Sequence, residues 1–318
     1  RDAMQALVQA EGKNFTLAAW DWRYYAEKLR KVRCDIDEAT IKPYFQLECL
    51  REGMFWMAGE LFDFHFVKLD SIAVVHPEVR VWEVQTRTTG QHIGLWFFDP
   101  YARPGKRSGA WMSSYRRQEN FQGTITTIVS NNSNFVKAAP GEPVLISLHD
   151  AKTLFHEFGH ALHGLSSNVS YPSLAGTLVP RDHVEFPSQL FEDWLMTPEI
   201  LNRFALHYQT QTPMPKALVM KIKNAATFNQ GFETLEYLSS AIVDMRYHLS
   251  PQALVDPTTF EDQVLKELGM PKEMVMRHRS PQFAHIFGSD GYAAGYYSYL
   301  WADTLSASTF EAFTEAKG

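Results

Sequence analysis

The sequence predicts a mainly α-helical protein with one small antiparallel β-sheet, and three observations carry that prediction. Residues 1–70 hold their apolar side chains at helical spacing. Residues 72–148 change to alternation and short β-branched runs separated by turn residues. Helical periodicity then returns and runs from residue 150 to 318. Within the first region, Trp20 to Val32 carries helical charge pairing, Asp37 to Ile41 leads into Pro43 with acidic caps, and helix breaks are expected near Pro43 and Gly53. In the middle region Val79–Val84 alternates and Ile93–Phe98 is a short apolar run. Thr126–Val129 and Val144–Ile146 are β-branched. In the last region breaks are expected at 168–180, 212–215, 250–258 and 286–291.

A chain of 318 residues with 45% hydrophobic and 14% aromatic content can bury a large core. Its net charge of −6, with no long basic run, argues against nucleic acid as a partner. No apolar stretch approaches membrane-span length, so no membrane partner is expected. Cys34 and Cys49 are too few for a disulfide framework and are read as free thiols.

The most informative stretch is His156-Glu157-Phe158-Gly159-His160. On a helix, positions i and i+4 share a face, so both imidazoles can meet one cation while Glu157 reaches a water on it. Asp150 stands where a helix cap would sit, and Leu154, Phe155, Phe158, Ala161, Leu162 and Leu165 continue the helical apolar spacing through the motif. The competing reading is a pair of hydrogen-bonded core histidines. A zinc site needs a third protein ligand, and Asp182, Glu185, Glu192 and Asp193 are the downstream carboxylates; residue chemistry leaves the choice among them open. His163 and Gln189 are weak candidates to support ligands, and Asp182 either orients a ligand histidine or caps a helix. On a helix Tyr292, Tyr296 and Tyr299 would share one face. They would then either donate to an oxyanion or pack as buried rings. Arg80, Arg103, Lys106 and Arg107 are scattered cations able to meet a terminal carboxylate.

Three separated blocks resemble the thimet oligopeptidase and peptidyl-dipeptidase family of zinc metallopeptidases: Phe155–Gly164, Arg181–Gln189 and Gly291–Trp301. Similarity extends through Trp20–Tyr25, His76–Trp82 and Ser108–Met112, and the bacterial peptidyl-dipeptidases look closest at Val184–Gln189 and Phe283–Gly288. The resemblance implies a zincin-like catalytic domain of a two-lobed helical peptidase over 1–318, the catalytic part of a longer chain, with a helical region 1–70, a sheet region 72–148 and a zinc-binding region 150–318. It implies one Zn2+ held by His156, His160 and Glu185, with Glu157 as base. Tyr299 and then Tyr292 are implied as oxyanion donors, and His285, Tyr296 and Gly291 as substrate contacts. The expected activity is hydrolysis of short unfolded peptides by a monomer, with release of C-terminal dipeptides. Internal cleavage is the runner-up, and an inactive zinc-stabilised binding fragment is the alternative from another class. A cytoplasmic location is expected; a removed signal peptide would make it periplasmic.

Overall fold

A computed structural model describes residues 1–251 and 256–316. The chain forms two compact units, one from residues 1–37 and 215–299, the other from residues 38–214 together with the chain from Leu300 onward.

In chain order, helices α1 (Asp2–Ala10), α2 (Trp22–Cys34), α3 (Glu38–Ile41) and α4 (Leu47–Phe62) come first. Among the described residues five strands follow: β1 (Phe64–Leu69), β2 (Arg80–Thr86), β3 (His92–Tyr101), β4 (Trp111–Arg116) and β5 (Thr127–Phe135). The later part is helical: α5 (Leu148–Leu165), α6 (Arg181–Val184), α7 (Phe186–Trp194), α8 (Pro198–Arg203), α9 (Lys216–Ala225), α10 (Gln230–Leu249), α11 (Pro257–Glu267), α12 (Ala284–Phe287) and α13 (Ser298–Glu315). Of the expected break at 250–258, residues 252–255 lie outside the described residues. Among the described residues no helix is long and apolar enough to cross a membrane.

The helical regions follow the periodicity over most of their length, but residues 64–69, at the end of the first region expected to be helical, form strand β1, and Gly291–Tyr297 forms turns. Gly53 does not break a helix; it lies inside α4, where an added Cβ would stand 3.0 Å from the Phe204 ring. This glycine permits close packing of α4 rather than a turn.

The sheet needs more correction. Its order is β1-β2-β3-β5-β4, and it is mixed rather than antiparallel, because β3 and β5 run parallel while the other neighbours are antiparallel. After β3 the chain leaves a place, lays β4 at the far edge and returns as β5 in the gap. Alternation in a sequence marks a strand but names no partner, so this crossover has no local signal. Strands β1 and β4 have no counterpart among the expected strands. Val144–Ile146 contributes only a single bridge, Leu145 to Gln46, outside the sheet.

In the second unit α5 packs on the sheet through an aromatic hub. Trp96 of β3 is fully buried and meets Phe158 of α5 edge-on at 5.5 Å and Phe55 of α4 at 5.3 Å. Such edge-to-face pairs add about 0.5–1.5 kcal/mol each beyond the area they bury. In the first unit, Met4, Val8, Leu17, Trp22 and Tyr25 form one cluster, with Phe232 stacked on Trp22 at 4.7 Å. Val243, Val264, Leu265, Met276, Phe283 and Ile286 form another under α10 and α11. Cys34 and Cys49 are free thiols, as expected.

Candidate metal centre

Helix α5 begins at a capping box. Ser147 is the N-cap and accepts a hydrogen bond from the Asp150 amide at 3.0 Å, while Asp150 returns its carboxylate to Ser147. Asp150 therefore completes the cap from the third helical position rather than standing at it. The six apolar positions that predicted the helix, Leu154, Phe155, Phe158, Ala161, Leu162 and Leu165, are all buried. That burial fixes the rotation of α5 and turns the opposite stripe, with His156 and His160, toward one place. The two imidazoles lie 4.9 Å apart at 89°.

Gly159 brings the third group in. A Cβ there would stand 2.6 Å from the Ser188 Cα and 2.9 Å from the Pro187 carbonyl, so only glycine allows α7 to lie this close on α5. Glu185, at the junction of α6 and α7, is thereby carried to the histidines. Its Oε2 is 3.2 Å from the Nε2 of both His156 and His160, and the carboxylate is fully buried. Of the four carboxylates the residues left open, geometry brings Glu185 to both histidines. Glu192 sits behind the site, with Oε1 2.8 Å from His156 Nδ1, while Asp182 and Asp193 are outside the cluster.

These contacts set the charges. Burial disfavours a charged His156, but Glu185 and Glu192 outweigh it and hold the imidazole up at about 10. Burial likewise opposes ionisation of Glu185, yet the two histidines keep its carboxyl well below the usual carboxylate range. Burial raises Glu157, and its Oε2 has no hydrogen-bond partner. Two imidazole nitrogens and a carboxylate oxygen lie within 4.8 Å of one another, a donor set of the kind that holds a divalent metal. Glu157, next to His156 on the same helix, keeps a buried carboxylate oxygen without a hydrogen-bond partner among the described residues. The residues present therefore fit a divalent metal.

Two supporting residues escaped the sequence reading. Ser188 donates its hydroxyl to the Glu185 carboxylate at 3.2 Å. Asn131 of β5 donates to the Glu157 carbonyl and accepts from the Trp96 indole at 2.7 Å, tying the sheet to the helix at the motif itself. The available signal was the polar run Ser130–Asn134 inside a strand: four of these five residues are buried, which polar side chains tolerate only when hydrogen-bonded.

Two consequences are measurable. Gly159→Ala pushes a methyl into backbone and should cost about 1–3 kcal/mol, lowering Tm by several degrees in thermal unfolding and weakening metal retention as Glu185 is displaced. Asp193 is raised to about 6 from the ordinary 3.8, by burial first and then by the charges of Glu192 and Asp303. Its native form binds a proton more tightly than the unfolded chain, so ionised Asp193 costs stability above about pH 6, and the cost fades as pH falls through 6 toward 4. Asp193→Asn should raise Tm by ~1–3 °C at pH 8, solvent screening keeping the gain small, and by nearly nothing at pH 4.

The remaining expected residues divide. His163 is pushed down to about 4, chiefly by burial, and lies outside the metal cluster, its ring 6.4 Å from His183. Gln189 gives its backbone amide to the Glu185 carbonyl. Among the cations, Arg80 pairs with Glu48, Arg103 and the buried Lys106 both hold Asp99, and Arg107 stacks on Trp111 at 4.5 Å. At least three of the four are thus occupied in building the sheet region.

In the first unit, Gly291–Tyr297 is a run of turns and not a helix, because Ala294 takes a left-handed conformation (φ 54°). The phenols still gather. His285 Nε2 is 2.8 Å from the Tyr299 hydroxyl, and that hydroxyl donates to Tyr292 at 3.2 Å. The His285 ring stacks on Tyr292 at 4.6 Å, and Tyr296 meets Tyr299 edge-on at 5.5 Å. Gly291 begins the turn, its amide donating to the Ser289 hydroxyl.

The family model for Peptidase family M3 matches residues 1–318. The chain is similar to the dipeptidyl carboxypeptidase of Escherichia coli (strain K12), 43% identical over 320 residues that cover 99% of this chain and 46% of that protein. It is also similar to oligopeptidase A of Salmonella typhimurium (strain LT2), 34% identical over 98% of this chain and 46% of the relative. The organellar oligopeptidase A of Arabidopsis thaliana is 33% identical, over 97% and 40%. The chain spans about half the length of these curated relatives.

Proposed function

Because the chain belongs to peptidase family M3, we propose that it is the catalytic part of a zinc peptidase that hydrolyses short unfolded peptides and releases C-terminal dipeptides. The observation that carries this reading is the convergence of His156, His160 and Glu185 beside a buried Glu157 on the same helix. Zn2+ held by those three side chains would acidify a water and polarise the scissile carbonyl.

The chain's own groups supply the rest. Glu157, raised by burial, is suited to take the water's proton and to pass it to the leaving amine. Glu192 holds His156 in its ring orientation, and Ser188 holds the Glu185 carboxylate. Tyr299 and Tyr292 are the proposed donors to the oxyanion, with His285 fixing the direction of the Tyr299 hydroxyl. Tyr296 and Gly291 are proposed to touch substrate beside them. Strand β4, at an edge of the sheet, offers backbone groups with which an extended peptide can pair.

Dipeptide release is favoured over internal cleavage by the higher identity to dipeptidyl carboxypeptidase, 43% against 34% for oligopeptidase A. Mass spectrometry of products from one peptide, offered with a free and with an amidated C-terminus, tests the mode. The free peptide should lose dipeptides, and amidation should slow cleavage about 10–100-fold, the worth of a charge-assisted hydrogen bond. Internal cuts indifferent to the amide would favour the oligopeptidase reading. Bound metal without turnover on any peptide would overturn both.

A further inference from the structure

The turn that carries the tyrosines is held from beneath by one face of α10. Tyr237, Asp244 and His248 are spaced at i, i+7 and i+11 on that helix. The Asp244 carboxylate is 1% exposed, and a carboxylate buried to this degree is costly unless its oxygens are satisfied. Its Oδ1 accepts from the Ala294 amide and its Oδ2 from the Tyr296 amide, each at 3.0 Å. His248 Nδ1 lies 3.0 Å from Oδ1, and the Tyr237 hydroxyl donates to the Tyr296 carbonyl. Between the two captured amides the backbone makes its left-handed excursion at Ala294, a conformation that costs a non-glycine residue about 1–2 kcal/mol. This excursion turns the chain so that Tyr292, before it, and Tyr299, after it, meet at His285.

We propose that Asp244 is a positioning residue: by binding the Ala294 and Tyr296 amides it holds the left-handed turn that gathers Tyr292, Tyr296 and Tyr299 around His285 for the reaction. The inference rests on the reading that these phenols serve peptide hydrolysis. Asp244 has no place in the metal cluster and is not a catalytic residue itself.

The test uses the full-length protein and has two arms. Asp244→Asn keeps the shape but offers a donor where an acceptor is needed, so hydrogen exchange at the Ala294 and Tyr296 amides should rise about tenfold, the worth of one lost hydrogen bond. In the second arm kcat should fall about tenfold or more with metal content unchanged, since misplaced groups rather than lost ones are responsible. In a Tyr299→Phe background the same change should cost no more than about twofold, because residues acting through one another are non-additive. Unchanged exchange at both amides overturns the proposal, as does an equal loss of kcat in both backgrounds. If Asp244→Asn does not fold, Asp244→Ser, which keeps one small acceptor, is read by the same two arms. A wild-type protein that hydrolyses no peptide would defeat the peptidase reading while the exchange arm still decides the clamp.

Discussion

Glu157→Gln should lower kcat by about 10²–10⁴-fold while leaving one metal ion per chain, the loss expected when a general base is removed and its shape kept. Glu157 is on the helix of the two candidate ligand histidines but outside the proposed ligand set, and burial, not an ion pair, dominates its raised pKa. The amide preserves volume and cannot accept the proton. Metal analysis beside kcat separates this from a folding defect. A Glu157→Gln enzyme that retains wild-type turnover would remove Glu157 from the mechanism, and one that loses its metal would place it among the ligands.

Glu185→Ala should strip the metal. The carboxylate is fully buried and approaches both imidazoles through one oxygen, so its loss leaves two imidazole nitrogens where three donors met. Metal affinity, measured by competition with a chromophoric chelator, should fall by more than the ~10–100-fold expected for a supporting residue. Glu192→Gln provides that comparison, because Glu192 touches His156 only on the far side of the ring. Equal losses for the two variants would mean that Glu185 is no more a ligand than Glu192.

What the sequence disclosed divides along a physical line. Local patterns were legible: the burial of Leu154, Phe155, Phe158 and their successors followed from spacing alone, and with it the shared face of His156 and His160. Partners distant in sequence were not legible from residue chemistry, and Glu185 was implied by the family resemblance alone. Four downstream carboxylates were open by residue chemistry, and only the close approach at Gly159 brings Glu185 to the histidines. Gly159 was already visible inside the motif, but a glycine records that something packs closely without saying what. The parallel pairing of β3 with β5, and the anchoring of Glu157 by Asn131, are likewise contacts across long stretches of chain. The tyrosine block failed differently. Its spacing fits a helix, yet Ala294 turns left-handed under the hold of Asp244, and the phenols meet through a turn.

X-ray absorption at the zinc edge, on protein purified without added metal, most directly tests the proposal that His156, His160 and Glu185 hold zinc beside Glu157. The expected spectrum has two imidazoles, oxygen in the remaining positions and no sulfur, and it loses one imidazole in His160→Ala. Sulfur scattering from Cys34 or Cys49, or a spectrum unchanged by His160→Ala, would contradict the site.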